Sequence, residues 1–412
     1  MADALPRIVY ITTNAMSLRF LAGQIGYMRE RGFRVSVVAS PPCEKEGTVD
    51  VYRQLIDCDG AEMISEVMSR EMDPWQDCQS LARITRHLRR LSPSIVNAGT
   101  PKAGLLGMLA AKIVNTPIRL YTLRGLRLET CAGVKRRILW GAERAASCCA
   151  HRVICVSHSL RDAYVAEGLT GPEKTVTLGQ GASNGIDLER YTRKMKRSPE
   201  VDRLREKLGI PLDALVIGFV GRITGDKGIS ELVAAFRRCE ESVPKLFLLL
   251  VGDYESNDSV GNEVRRIIES HQRIVKTGFV PDSSSYYHLM DVFAFPSRRE
   301  GMPNAPLEAA ACEVPVVGYR VTGVRDAVVD KKTGTLVSPE MTDEFQEALL
   351  RYLSDASLRR SHGLAGRQWV REHFSQSLVW ENLFQYYRTL LRERGLPLPS
   401  RRQADERELA AA

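Results

Sequence analysis

At 412 residues the chain is too long for one hydrophobic core, so two domains are the default. Its 44% hydrophobic and 26% charged residues are those of an ordinary globular protein, and no apolar run approaches the roughly 20 residues needed to span a bilayer. The net charge of +8 implies attraction to anions, which leaves nucleic acid, anionic lipid headgroups and phosphorylated substrates open.

The opening, Met1-Ala-Asp-Ala-Leu-Pro-Arg, has no basic segment followed by an apolar stretch and enters a strand almost at once. No signal peptide is expected, and the cytoplasm is the expected compartment. Residues 8–12 read as a strand. Residues 17–31 read as a helix with Leu18, Leu21, Ile25 and Met28 on one face and Gly32 as its stop signal. Strands follow at 35–39, 95–98, 118–123, 153–156 and 176–178, with helical stretches between most of them. The pattern pauses at Asn184-Gly-Ile-Asp and the basic stretch 190–206, then restarts with strands at 215–220, 247–251, 275–277, 292–295, 314–318 and 335–337. Strands alternating with helices imply parallel sheets covered on both faces.

Two such series predict an α/β protein of two Rossmann-like doubly wound domains facing a cleft. The first spans residues 1–190 and the second 205–370, with the boundary near 185–205. Residues 374–391 carry Trp380, Leu383, Tyr386, Tyr387 and Leu390 at helical spacing. A helix over 371–395 is expected to cross back to the N-terminal domain. The polar end, 396–412, is expected to be disordered.

The nine cysteines are odd in number, scattered and free of Cys-x-x-Cys pairs. Buried free thiols in a reducing compartment explain them better than metal ligands do, and the histidines form no ligand pattern with them. His151, His158 and His288 read as structural.

The chemistry concentrates in the second series. The strand at 292–295 runs into Pro296-Ser-Arg-Arg-Glu-Gly-Met-Pro-Asn-Ala-Pro-Leu-Glu-Ala-Ala, with a helix from Pro306 onward. Glu300 then falls on the loop at the strand's carboxyl end, and Glu308 on the first turn of the helix. Ligands of open α/β sheets bind at that edge. A carboxylate there can accept sugar or ribose hydroxyls, while the loop holding Gly301 meets a helix N-terminus, where anions bind. The strand at 216–220 ends in Gly221-Arg-Ile-Thr-Gly-Asp-Lys-Gly, with a helix from about Ser230. Arg222 and Lys227 can neutralise a diphosphate without a metal, or they can be solvated charges on an ordinary loop.

Gly-Arg-x-x-x-x-Lys-Gly after a strand, followed by Glu-Gly-Met-Pro-Asn-x-x-Leu-Glu-Ala, resembles the GT-B glycosyltransferases of family 4. Pro101-Lys-Ala-Gly-Leu-Leu-Gly, Arg124-Gly-Leu-Arg-Leu-Glu, Val156-Ser-His-Ser-Leu and Gly181-Ala-Ser-Asn-Gly-Ile-Asp narrow the resemblance to the branch that builds bacterial capsular and exopolysaccharides. It runs from about residue 6 to 390. The resemblance implies that Gly221, Arg222 and Lys227 hold the donor diphosphate and stabilise the leaving group, and that Glu308 grips the ribose. It places Glu300 near the donor sugar, with Gly301, Met302, Pro303 and Asn304 as the loop touching sugar and phosphate. Phe279 and Val280, in Gly278-Phe-Val-Pro, lie nearest the base. The family also implies retention of configuration. A front-face mechanism, in which the leaving phosphate helps deprotonate the acceptor, makes Glu300 an orienting group rather than a nucleophile.

One departure concerns Arg124-Gly125, where many relatives carry His-Gly. Arginine cannot serve as a base near neutral pH. Arg124 either binds a phosphate or carboxylate of donor or acceptor, or is a structural arginine paired with Glu129. Ser17 either caps the first helix or approaches the sugar diphosphate, and Lys102 either meets an anionic acceptor or is simply exposed. The loop 12–19 lacks Gly-x-Gly-x-x-Gly, which argues against a nicotinamide enzyme.

Two basic stretches, 81–91 with Leu81, Ile84, Leu88 and Leu91 on one face, and Lys135-Arg-Arg-Ile-Leu-Trp, suit either an anionic membrane surface or ordinary packing on the sheet.

The expected protein is therefore a metal-independent glycosyltransferase without cofactor. It takes a nucleotide sugar, UDP-linked by expectation, and an undecaprenyl-diphosphate-linked acceptor, with peripheral contact to the inner face of the membrane. The rivals are a GT-B sugar-nucleotide epimerase, a catalytically silent assembly partner, and a nucleic-acid-binding protein. The last rests on charge alone, without an aromatic-basic motif.

Overall fold

The alternating apolar and amphipathic stretches form two all-parallel sheets, of seven and six strands among the described residues. The computed structural model describes residues 5–13, 15–42, 49–68, 73–191, 198–255 and 260–400. Its contacts define one unit of Met1–Asn184 with Ser377–Ala412 and another of Gly185–Gln376. The expectation for the C-terminal tail beyond residue 400, and part of that for the basic stretch 190–206, lie outside the described residues.

In the first unit, β1 (Arg7–Ile11), α1 (Gln24–Glu30), β2 (Arg34–Ala39), α2 (Val49–Asp57), β3 (Glu62–Ser65), α3 (Pro74–Leu91) and β4 (Ile95–Gly99) lead into α4 (Pro101–Ile113). They are followed by β5 (Ile118–Leu123), α5 (Gly133–Cys149), β6 (Arg152–Cys155), α6 (His158–Ala166) and β7 (Thr175–Val176). The sheet order is β3-β2-β1-β4-β5-β6-β7. The winding direction reverses between β1 and β4, and the loops after these strands meet there: Thr13 and Thr100 hydroxyls lie 2.6 Å apart.

The second unit contains α7 (Pro199–Lys207), β8 (Leu215–Val220), α8 (Ile229–Glu240), β9 (Leu246–Val251), α9 (Asn262–Ser270), β10 (Ile274–Lys276), α10 (Ser284–Tyr287) and β11 (Val292–Phe295). It continues through α11 (Asn304–Ala311), β12 (Val316–Tyr319), α12 (Val324–Ala327), β13 (Gly334–Val337), α13 (Thr342–Ser354) and α14 (Ala356–His373). Its order is β10-β9-β8-β11-β12-β13, so the reversal falls between β8 and β11. Every residue of β9 is buried, as a strand covered on both faces requires.

The last helix, α15 (Gln376–Glu393), belongs from its second residue onward to the first unit. Leu383, Phe384, Tyr387, Leu390 and Leu391 join Ile8, Val35 and Val37 in one core. At about 1.5–3 kcal/mol per large apolar side chain, that face contributes on the order of 10 kcal/mol before the helix's ordering cost.

Several boundaries differ from the sequence expectation. The helix expected over 17–31 is a 3₁₀ segment, Ala15–Phe20, followed by α1. It breaks at Gly23, which has φ of 75° and sits against the Trp380 ring. Strand β3 was not anticipated, because Glu-Met-Ile-Ser at a sheet edge is too short and too polar to read as one. β12 starts after Pro315, which cannot donate to the ladder. β7 shrinks to two residues. α11 begins at Asn304, with Pro306 tolerated in its first turn. Glu308 therefore lies on the second turn rather than the first.

Candidate active site

The β8–β11 reversal is where an open parallel sheet presents a crevice at its carboxyl edge. Gly221 leaves β8 there and Pro296 leaves β11. The two loops press together: a Cβ on Gly228, which has φ of 70°, would fall 2.1 Å from the Pro296 carbonyl oxygen. Only glycine allows that approach.

This closeness joins Lys227 to Glu300, with Nζ 2.5 Å from Oε1. The Ser297 hydroxyl donates to the same oxygen at 2.7 Å. Both charged side chains are mostly enclosed, 14% and 13% exposed, whereas Arg222 is 52% exposed. Arg222 pairs with Glu255 and lies 3.8 Å from Asp226. Burial raises the Asp226 carboxyl, but the Thr224 hydroxyl and the charges of Lys227, Arg222 and Arg299 outweigh it and hold the group below its usual range. The edge thus carries cations balanced by internal carboxylates, and an anion of higher charge could compete for them.

Gly301, Met302 and Pro303 are buried and lead into α11, whose first residue is Asn304. Further along α11, Glu308 accepts from the Tyr287 hydroxyl at 2.6 Å. Burial pushes the Glu308 carboxyl up, against hydrogen bonds from Tyr287 and Tyr191 and the charge of Arg190, which pull it down. Phe279 and Val280 follow β10 at the sheet edge. β10 lies two strands from β8 in the sheet order, on the far side of β9.

In the first unit, the Lys102 ammonium pairs with Asp77 at 2.7 Å, so it is not a solvated charge. Ser17 lies inside the 3₁₀ segment, and α1 is capped at Gly23, which overturns the capping role. Arg124 and Gly125 follow β5. The pairing of Arg124 with Glu129 is not formed: burial dominates the guanidinium, and the charges acting on it are tyrosines. Arg124 is half-buried, and its Nε is enclosed without a hydrogen-bond partner, an arrangement that costs stability when no acid offsets it.

His151 Nδ1 accepts from the Arg119 backbone N–H at 3.2 Å. His158 Nε2 lies 3.1 Å from the Gly179 carbonyl oxygen, and the buried His288 sits beside Cys312. Of the three, His288 is buried and His158 is exposed. Among the described residues, Cys58, Cys78, Cys131, Cys148, Cys149, Cys155, Cys239 and Cys312 are free thiols, four of them buried.

Ser297, Asp226 and Glu255 are not evident from the sequence alone, although the first two lie inside the 296–310 and 221–228 motifs. Nor are Tyr287 and Tyr191, which reach Glu308 from other elements and carry no motif of their own.

The profile described as Glycosyl transferases group 1 matches residues 200–369, and that of the Glycosyl transferase 4-like domain matches residues 19–181. The chain is 36% identical over 388 residues to the capsular polysaccharide biosynthesis glycosyltransferase CapM of Staphylococcus aureus, covering 94% of this chain and 98% of that protein. It is 26% identical over 323 residues to the Escherichia coli UDP-Gal:alpha-D-GlcNAc-diphosphoundecaprenol alpha-1,3-galactosyltransferase, covering 77% and 80% of the two chains. The fold matches that of Anabaena Alr3699/HepE, solved with UDP and glucose, with a TM-score of 0.76 at 18% identity over 93% of this chain and 99% of that one.

Proposed function

The chain belongs to the family 4 glycosyltransferases of GT-B fold, and from that premise we propose that it is a retaining transferase of surface-polysaccharide synthesis. Its donor is a UDP-linked hexose or N-acetylhexosamine, and its acceptor a saccharide on undecaprenyl diphosphate. The observation that carries this reading is the Lys227–Glu300 pair, 2.5 Å apart, where β8 and β11 reverse the sheet's winding. Among relatives, CapM is named for capsular polysaccharide, the Escherichia coli enzyme for a UDP donor and a diphosphoundecaprenol acceptor, and HepE was solved with UDP.

In this reading Arg222 and Lys227 take the donor diphosphate in place of Glu255 and Glu300. They stabilise the charge that builds as the bond between the anomeric carbon and the phosphate oxygen breaks. The acceptor oxygen bonds to that carbon on the face the phosphate leaves, and its proton passes to the leaving phosphate oxygen. Glu300, released from Lys227, orients the sugar. Gly221, Gly301, Met302, Pro303 and Asn304 bring backbone to the phosphates and sugar. Glu308 accepts the ribose hydroxyls, and Phe279 and Val280 flank the base. Two cations and the α11 N-terminus supply the neutralisation, so the reaction needs no metal.

The test is calorimetric titration of the full chain with UDP-, GDP- and ADP-sugars, then assay of the binder with lipid-linked acceptors from membrane extract. Binding of none of them, or donor binding unchanged in Arg222→Ala and Lys227→Ala, overturns the reading. Free UDP and an altered sugar without acceptor mark epimerisation instead.

We also propose peripheral attachment to the inner face of the membrane. Among the described residues no helix is long and apolar enough to cross a membrane. Ile84 and Leu88 of α3 are buried in the first unit, so that apolar face is already occupied. The start of α5 differs: Val134 and Ile138 are 72% and 50% exposed beside exposed Lys135 and Arg137. Apolar and basic side chains together suit an anionic bilayer surface.

A further inference from the structure

Arg124 stands directly after β5, and the mechanism above leaves its charge unused. Among the described residues it has no ion pair, and its Nε is buried without a hydrogen-bond partner. Its guanidinium carbon lies 5.2 Å from the centroid of the Phe20 ring. A Cβ added at Gly99 would fall 1.7 Å from Nη1. The fork is held between an aromatic face and the backbone at the end of β4.

Arg124 lines a depression of the first unit together with Gln24, Asn97, Thr122 and Ser183. The polar groups behind it satisfy one another. The Thr122 hydroxyl donates to Asn97 Oδ1 at 2.7 Å, Asn97 Nδ2 donates to the Tyr387 oxygen at 2.7 Å, and Tyr387 donates to the Tyr10 oxygen at 3.3 Å. Burial pulls the Arg124 guanidinium down to about 10, and the opposing groups are Tyr387, Tyr10 and Tyr121, with no carboxylate among them. It remains a cation at neutral pH, with its charge unmatched. A guanidinium fixed in a plane fits the paired oxygens of a carboxylate or phosphate.

We infer that this depression is an oxyanion subsite, in which Arg124 takes a carboxylate or phosphate of a sugar substrate through its paired donors. At least one substrate of the enzyme then carries an anionic group at this position. The inference rests on the transferase reading and narrows its substrate class.

The test compares wild type, Arg124→Gln and Arg124→Lys, each as the full chain, by calorimetry with UDP, UDP-glucose, UDP-glucuronate, UDP-galacturonate and inorganic pyrophosphate. UDP and UDP-glucose are expected to bind all three alike. At least one of the other ligands is expected to bind wild type about tenfold or more tighter than Arg124→Gln. Arg124→Lys, which keeps the charge and loses the fork, is expected to fall between them. A response confined to the uronates assigns a sugar carboxylate, and one to pyrophosphate assigns a phosphate.

Thermal melting adds a second readout. Arg124→Met is expected to raise Tm, because a half-buried cation without a partner destabilises the fold, whereas a structural arginine would lower it when removed. If UDP binds but no oxyanion ligand separates wild type from Arg124→Gln, the subsite is overturned and the donor site stands. If UDP itself fails to bind wild type, the transferase reading has failed, and the pyrophosphate arm still decides whether Arg124 holds an oxyanion.

Discussion

Lys227 Nζ and Glu300 Oε1 lie 2.5 Å apart although 73 positions separate them in the chain. They meet because β8 and β11 are neighbouring parallel strands whose loops leave the sheet at the same edge. The two charges neutralise each other, and in the proposed donor complex a diphosphate takes the place of Glu300 beside Lys227. Lys227→Ala is expected to lower kcat/KM for transfer by on the order of 100-fold or more, read as UDP release at varied donor concentration. Glu300→Gln is expected to lower the turnover number while leaving UDP affinity nearly unchanged. An orienting role for Glu300 fails if Glu300→Ala keeps most of the turnover.

The Glu308 carboxylate, held by Tyr287 at 2.6 Å, is read as the ribose ligand. Wild type should then prefer UDP over its 2′-deoxy analogue by about tenfold, the worth of a charge-assisted hydrogen bond. That preference is expected to vanish in Glu308→Gln and to shrink in Tyr287→Phe. Competition binding with the two nucleotides measures it. An undiminished preference in Glu308→Gln assigns the ribose contact elsewhere.

Glu143 is buried in the first unit and accepts from the Tyr121 and Tyr164 hydroxyls at 2.9 and 3.1 Å. Burial pushes its carboxyl up to about 7, while the two tyrosine hydrogen bonds pull it down. The unfolded chain loses this proton near the ordinary value of 4.5. Between those two values the folded state holds the proton and the unfolded state does not, so stability falls as pH rises and levels off above about 7. The loss is on the order of 3 kcal/mol. Glu143→Gln should flatten the decline, and denaturant midpoints from pH 5 to 8 follow it. An unchanged slope in the variant removes Glu143 as the source.

A reaction whose leaving group is neutralised by Arg222 and Lys227 should tolerate a chelator. Transfer activity in excess EDTA is expected to stay within about twofold of the untreated enzyme, since no charge at the phosphates is left for a divalent ion to carry. Loss of activity that added magnesium restores would falsify metal independence.

Attachment through the start of α5 predicts co-sedimentation with phosphatidylglycerol vesicles that weakens at high salt and in phosphatidylcholine alone. Replacing Val134 and Ile138 by serine should reduce it severalfold while leaving UDP binding intact. Vesicle binding unchanged in that double variant places the contact on another surface.

Much of the fold was legible because its signals are local. Strands β5, β8 and β11 have the bounds their apolar runs suggested, since a parallel strand buried on both faces is a continuous apolar segment. Edges were less legible. β3 is polar and short, and the first helix breaks where Gly23 meets Trp380, a contact across the chain that no local pattern announces.

The site divides the same way. The spacing of Arg222, Lys227, Glu300 and Glu308 against strand ends is a property of the sequence itself, because turn residues and helix starts depend on near neighbours. That Lys227 is tied to Glu300, Lys102 to Asp77 and Arg222 to Glu255, while Arg124 sits in a depression without an acid, follows only from tertiary structure. Asn97 reaches Tyr387 across 290 positions, and such partners are chosen by strand order and side-chain reach. The sequence thus determined which charges stand at the sheet edges. Only the packed fold decided which of them are already neutralised, because charge pairing falls off within a few ångströms and residues distant in the chain must first be folded into contact.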